Sequence, residues 1–177
     1  MLYDFIDGSL ACGNAENAVH QVIDFINAHP DQRVIYIADS HPENHSSFME
    51  NGGIWPVHCV EGTRGDSIHE AFYTDIINPA NRPNPETNIF RKGFKTEEEQ
   101  YSGFESVGPD GKQLKEVVGK NLIISGIATE YCVKNTAEEF LNDGHNIEIF
   151  APGLGYVDYK GHVKTVDDLK NVVTVIE

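Results

Sequence analysis

The pattern of apolar positions along the chain predicts strands that alternate with helices. Val19, Val22, Ile23 and Ile26 recur at helical spacing on one face, which predicts an amphipathic helix. Short runs rich in β-branched and aliphatic residues predict strands at residues 33–38, 87–90, 120–126, 146–150 and 172–176.

A second helix is predicted after the third of these strands. Val133, Ala137, Phe140 and Leu141 have the spacing of a buried helical face. Gly144 follows them and can end the helix in the left-handed conformation. Strands alternating with helices favour an α/β fold of three layers, with a mostly parallel central sheet and helices on both faces. Ligands of such sheets bind outside the carboxyl ends of the strands.

Size and charge exclude several classes of function. The 177 residues fit one domain, expected over residues 1–177. The chain has 13 basic and 28 acidic residues, and its formal charge of −15 disfavours binding to nucleic acid or anionic membranes. No apolar run approaches the roughly 18 residues of a membrane span, and the sequence begins without a signal-peptide pattern. Three scattered cysteines are too few for a disulfide framework, so we expect a cytoplasmic protein.

Asp39 and His41 form a candidate metal site directly after the first predicted strand. Residues i and i+2 of an extended chain point to the same side, so this pair can bind one ion. His58 follows in the next segment. Two imidazoles and a carboxylate suit zinc, iron or manganese. The alternative interpretation is that Asp39 and His41 are ordinary loop residues.

Cys132 is a candidate nucleophile because it lies where a predicted strand turns into a helix. The N–H groups of a helix N-terminus lower the pKa of a thiol and can hold an oxyanion. Lys92 follows another predicted strand and can stabilise a thiolate. Phe5, Trp55 and Tyr101 can form the walls of a pocket for a flat ring. The alternatives are a buried structural cysteine, a solvated lysine and aromatic core residues.

Six stretches bring these candidates together in a distinctive order: residues 4–10, 38–48, 52–60, 92–93, 101–105 and 126–133. They include the sequences ADSHPENHSSF, WPVHC and GIATEYCV. In this combination the chain resembles the nicotinamidases and pyrazinamidases, within the isochorismatase-like cysteine hydrolases. The resemblance implies the isochorismatase-like fold and a metal-dependent hydrolysis of nicotinamide to nicotinate and ammonia.

The resemblance also implies a role for each candidate residue. The roles are those of nucleophile (Cys132), its charged neighbour (Lys92), metal ligands (Asp39, His41 and His58), walls of the substrate pocket (Phe5, Trp55 and Tyr101) and backbone oxyanion donors (Ala128 and Cys132). The metal is one divalent ion, with zinc preferred over iron or manganese, and it orients the pyridine nitrogen. A cis peptide bond is implied between Ile127 and Ala128.

The implied reaction is a two-step acyl transfer through a cysteine thioester. The Cys132 thiolate attacks the carboxamide carbon, ammonia leaves, and water hydrolyses the thioester. A general base must take the thiol proton and later activate the water.

The general base is where this sequence departs from the family pattern. In the family it is an aspartate at the end of the first strand, shortly before an Asp-Phe pair. That pair is Asp4 and Phe5 here, so the aspartate would directly precede Met1. Three explanations stay open: further chain before Met1, a shortened protein that binds ligands with little catalysis, or a site that uses Asp4. The first predicts added chain or a strand at the first-strand position, and an intact sheet without that strand would contradict it.

Two other functions also stay open. A related amidase would act on another small amide, and such relatives usually lack the metal triad. A non-catalytic remnant of the same fold would bind nicotinamide or nicotinate without turnover. The expected partner is a small-molecule amide in each case, and a homo-oligomer is a further expectation.

Overall fold

Five strands, each parallel to its neighbour, form two sheets in the computed structural model, which describes residues 1–177. The strands are β1 (Tyr36–Asp39), β2 (Ile89–Lys92), β3 (Asn121–Gly126), β4 (Asn146–Leu154) and β5 (Thr174–Ile176). One sheet has the order β1-β2 and the other has the order β3-β4-β5. All five predicted strands are confirmed, with bounds that differ by a few residues.

Helices lie between the strands, as the apolar spacing predicted. They are α1 (Ala15–Ala28), α2 (Ala71–Thr74), α3 (Leu114–Val117), α4 (Lys134–Asn142) and α5 (Tyr159–Lys170). The predicted face of α1 is buried at Val19, Ile23 and Ile26. Gly144 has a φ of 88° just beyond the end of α4, which confirms the predicted left-handed cap. No helix combines the length and the apolar character needed to cross a bilayer.

Alternate residues of the strands pack into cores on opposite faces of the sheets. Tyr36 and Ala38 belong to a core with the buried face of α1. Ile35 and Ile37 instead pack against a core that contains Ala137 of α4 and the buried residues of β4. Helices therefore cover both faces of the strands, and the predicted three-layer α/β arrangement is confirmed.

A gap separates the two sheets between β1 and β3. β1 pairs only with β2, and β3 pairs only with β4, so each strand keeps one free edge. The first residues form a short 3-10 turn at Tyr3–Phe5 and do not pair with either edge. The central sheet expected from the sequence is thus present in two parts. An intact sheet without a first strand is not observed, and the expectation of a strand at this position stays a prediction.

Candidate functional site

One narrow pocket at the carboxyl ends of β1 and β2 is lined by every residue that the sequence singled out as a site residue. These residues are Phe5, Asp39, His41, Trp55, His58, Lys92, Tyr101, Ala128 and Cys132. The carboxyl ends of parallel strands meet at the same edge of a sheet, so β1 and β2 bring Asp39 and Lys92 next to the turn that follows β3. The structure therefore brings the candidates together, while their individual roles stay predictions.

Cys132 lies in the helical turn Thr129–Val133 that leads into α4. Its Sγ is 3.6 Å from Nζ of Lys92, and the turn begins directly after Ala128. The peptide bond between Ile127 and Ala128 is cis, as expected. Burial raises the pKa of the Cys132 thiol, and Lys92 only partly offsets this effect. The lowered pKa expected from the sequence is therefore wrong, because desolvation outweighs the nearby cation.

Lys92 is a buried cation that connects Cys132 to Asp39. Its ammonium donates to the carboxylate of Asp39, to the backbone oxygen of Gln100 at 2.8 Å, and to Cys132. Burial lowers the pKa of Lys92, but Asp39 and Cys132 together raise it above its ordinary value. The ammonium thus stays protonated beside the sulfur, where it can stabilise a thiolate.

His41 and His58 present the same ring nitrogen to the pocket. Nδ1 of His41 lies 2.7 Å from the backbone oxygen of Gly93, and Nδ1 of His58 lies 2.8 Å from that of Pro56. A carbonyl oxygen only accepts, so each Nδ1 carries a proton and each Nε2 is the ring nitrogen left for the pocket. Burial lowers the pKa of His41 to about 4, so this ring is neutral at pH 7.

The donor chemistry of these side chains fits a divalent metal ion. Two imidazoles with free Nε2 atoms and the carboxylate of Asp39 are a ligand set of zinc sites that keep an open position. The ring centroids of His41 and His58 are 5.0 Å apart. In this structure Asp39 pairs with Lys92, and no three His, Cys, Asp or Glu side chains converge on one point. The metal ligands therefore stay predictions.

Aromatic side chains close one side of the pocket. Nε1 of Trp55 donates to the hydroxyl of Tyr101 at 3.1 Å. The ring of Tyr131 lies 4.9 Å from Trp55 and 5.4 Å from Tyr101, so the three rings form one wall. Phe5 lies on another side, with its ring 5.8 Å from that of His58. Sequence reasoning missed Tyr131, although its position directly before Cys132 in the motif was an available signal.

Asp4 has a structural role outside the pocket. Its carboxylate accepts the backbone N–H of Cys59 at 2.7 Å and that of Ser9 at 3.3 Å. Asp4 is absent from the residues that line the pocket. The explanation in which Asp4 replaces the general base therefore has no support in this geometry.

Comparisons with known proteins agree with this geometry. Residues 1–177 match the isochorismatase domain. The chain is 31% identical to the nicotinamidase/pyrazinamidase of Mycobacterium tuberculosis over 150 residues, which cover 80% of this chain and 75% of the relative. Its fold is similar to the pyrazinamidase of Pyrococcus horikoshii in complex with zinc, with a TM-score of 0.84, 27% identity, and coverage of 100% and 94% of the two chains. It is also similar to the yeast nicotinamidase bound to the inhibitor nicotinaldehyde, with a TM-score of 0.83, 25% identity, and coverage of 100% and 96%.

Proposed function

The chain belongs to the isochorismatase family, and we propose that it is an amidohydrolase that converts nicotinamide to nicotinate and ammonia. The observation that carries the proposal is the 3.6 Å contact of Cys132 with Lys92, in a pocket shared with Asp39, His41 and His58. The substrate class is supported by the relative from M. tuberculosis and by the nicotinaldehyde complex of the yeast enzyme.

Cys132 attacks the carboxamide carbon of nicotinamide in the first step. A C–S bond forms, the C–N bond breaks, and the amide nitrogen leaves as ammonia. Lys92 stabilises the thiolate before the attack, and the backbone N–H groups of Ala128 and Cys132 donate to the developing oxyanion. Water then hydrolyses the thioester, which releases nicotinate and returns the sulfur to its starting state.

The attack by Cys132 requires a group that accepts the proton of its thiol. Asp39 is less suited to this role, because its carboxylate is held by Lys92. Asp4 is held by the backbone N–H of Cys59 and lies outside the pocket.

The metal ligands in this proposal are Asp39, His41 and His58, with zinc as the preferred ion. A divalent ion at this position would supply a Lewis acid that attracts the pyridine nitrogen. The hydrogen bonds of His41 and His58 to backbone carbonyls hold both rings in the tautomer that a metal requires. Trp55 and Tyr101 then hold the pyridine ring against Phe5.

Ammonia release from nicotinamide tests the proposal directly. We expect release by the full chain, loss of release after treatment with a chelator, and recovery when zinc is added. Cys132→Ala should abolish release while the protein stays folded, because it removes the nucleophile. Cys59→Ala is the matched control, since this buried thiol lies outside the pocket and should leave release intact. Equal activity of Cys132→Ala and the unchanged chain would contradict the proposal.

A second function is favoured by the burial of Cys132, which raises the pKa of its thiol and so disfavours the thiolate. A ligand-binding protein of this fold would bind nicotinate without releasing ammonia from nicotinamide. Isothermal titration calorimetry with nicotinate, beside the ammonia assay, separates the two functions. Three expectations from the sequence stay predictions. They are the single domain over residues 1–177, the cytoplasmic location and the homo-oligomer.

A further inference from the structure

Glu99 brings a further charge to the pocket, beside the ion pair of Lys92 and Asp39. Glu99 is exposed, whereas Lys92 and Asp39 are buried, so Glu99 lies at the mouth of the pocket. Its carboxylate makes no hydrogen bond or ion pair within the chain. The charges of Lys92 and Asp39 cancel, and Glu99 therefore adds a negative charge that no bonded partner neutralises.

The backbone on both sides of Glu99 is fixed against the site. Nε2 of His45 lies 3.2 Å from the backbone oxygen of Glu98, which precedes Glu99. The backbone oxygen of Gln100, which follows Glu99, accepts a hydrogen bond from Nζ of Lys92 at 2.8 Å. Because the residues before and after it are held in this way, Glu99 keeps a constant position relative to the ammonium of Lys92.

The charge of Glu99 acts on the interior of the pocket. Desolvation raises the pKa of this carboxyl above its ordinary value, while the positive charges of His45 and Lys92 act in the opposite direction. Lys92 is also the cation that contacts Sγ of Cys132 at 3.6 Å. A negative charge that interacts with Lys92 therefore also interacts with a charged ligand group bound beside Cys132.

The proposed reaction changes the charge of the ligand. Nicotinamide is neutral, whereas nicotinate carries a carboxylate in place of the amide. This carboxylate forms beside Cys132, where the thioester is hydrolysed. Because like charges repel, Glu99 raises the free energy of bound nicotinate and leaves that of bound nicotinamide nearly unchanged.

We propose that Glu99 is a specificity-determining residue of the pocket, which disfavours aromatic carboxylates relative to neutral aromatic carboxamides. This discrimination promotes product release, because the ligand acquires its negative charge only when the thioester is hydrolysed. The inference rests on the proposed function, which assigns the amide and the acid to the same pocket. Glu97 is exposed and does not line the pocket, so it provides a matched carboxylate without this effect.

Isothermal titration calorimetry on the Cys132→Ala protein measures binding of nicotinamide and nicotinate without turnover. Zinc is present throughout, and the titrations are run at pH 8. Addition of Glu99→Gln removes the negative charge and keeps the size of the side chain. We expect nicotinate to bind about threefold to tenfold more tightly, and nicotinamide to keep its affinity within about twofold. The gain for nicotinate should shrink at high salt, because salt screens exposed charges.

Two control variants separate the charge of Glu99 from its shape. Glu99→Asp keeps the charge and should keep the weak binding of nicotinate, whereas Glu97→Gln should leave the affinity for both ligands unchanged.

Several results would overturn the proposal. They are an unchanged affinity of Glu99→Gln for nicotinate, an equal gain for nicotinamide, and no binding of nicotinate to either protein. Weaker zinc binding by Glu99→Gln, measured in competition with a chelating dye, would also overturn it, because Glu99 would then act through the metal. Absence of ammonia release by the unchanged chain would instead refute the proposed function, since the nicotinate titrations do not depend on turnover.

Discussion

Replacement of Lys92 by methionine tests the buried ion pair with Asp39. The side chains of Lys92 and Asp39 are 5% and 6% exposed, so the variant leaves a buried carboxylate without its cation. Removal of one partner of a buried pair costs about 3–5 kcal/mol. Methionine keeps most of the apolar volume of lysine, so little of this loss comes from packing. In a protein of this size, about 1 kcal/mol corresponds to roughly 2–4 °C, and we expect the melting temperature to fall by about 6–20 °C.

Urea unfolding, followed by the fluorescence of Trp55, measures this loss in a buffer with chelator, so that no bound ion contributes. The control is Lys95→Met, which removes an exposed cation and its bond to Glu98. The side chains of this pair are 63% and 55% exposed, so we expect a loss under about 1 kcal/mol. Addition of Asp39→Asn to Lys92→Met removes the stranded charge and should recover at least half of the stability. A loss under about 1 kcal/mol for Lys92→Met alone would refute the reasoning.

Three further variants test other parts of the structure. Burial lowers the pKa of His41 from 6.5 to about 4, so the unfolded chain takes up a proton at this ring at a higher pH than the folded protein does. The free energy of unfolding is therefore unaffected by this ring above pH 6.5 and decreases as the pH falls towards 4. Urea unfolding at pH 7 and pH 4.5 should show this pH-dependent loss, of order 3 kcal/mol over the full range, and His41→Asn should reduce it. Trp55→Phe removes the hydrogen bond to Tyr101. In steady-state ammonia assays, KM for nicotinamide should rise about threefold to tenfold while kcat stays nearly unchanged. An unchanged KM would argue against a role of the aromatic wall in substrate binding. Gly144→Ala should cost about 1 kcal/mol in thermal unfolding because φ is 88°, whereas Gly119→Ala, which has open space around it, should be nearly neutral.

The strands and the first helix were predictable because their signals are local. Residues 33–38 form an apolar run, and the apolar face of α1 has clear helical spacing. α5 was not predicted, because among its residues only Thr165 and Leu169 are buried, which leaves a thin apolar pattern. Asp158 was the available sequence signal for the start of α5, because aspartate is favoured directly before a helix. Its side chain accepts the N–H of Gly161 in the structure.

The positions of the site residues were predictable, but their electrostatics were not. Parallel strands bring their carboxyl ends together, so residues that follow different strands meet in one pocket. The raised pKa of Cys132 depends on how deeply the thiol is buried, and no local pattern reports that depth. The pairing of Lys92 with Asp39 follows from the register of β1 and β2, which aligns these two residues.

The contact between Lys92 and Cys132 joins the two sheets across the gap. Lys92 ends β2 in one sheet, and Cys132 follows β3 in the other, with 3.6 Å between nitrogen and sulfur. The proposed nucleophile Cys132 therefore lies against a cation that the other sheet supplies. Because no strand pairing joins β1 to β3, we expect heat to lengthen this contact before either sheet loses its own hydrogen bonds. We therefore expect heat to abolish ammonia release at a lower temperature than it abolishes secondary structure.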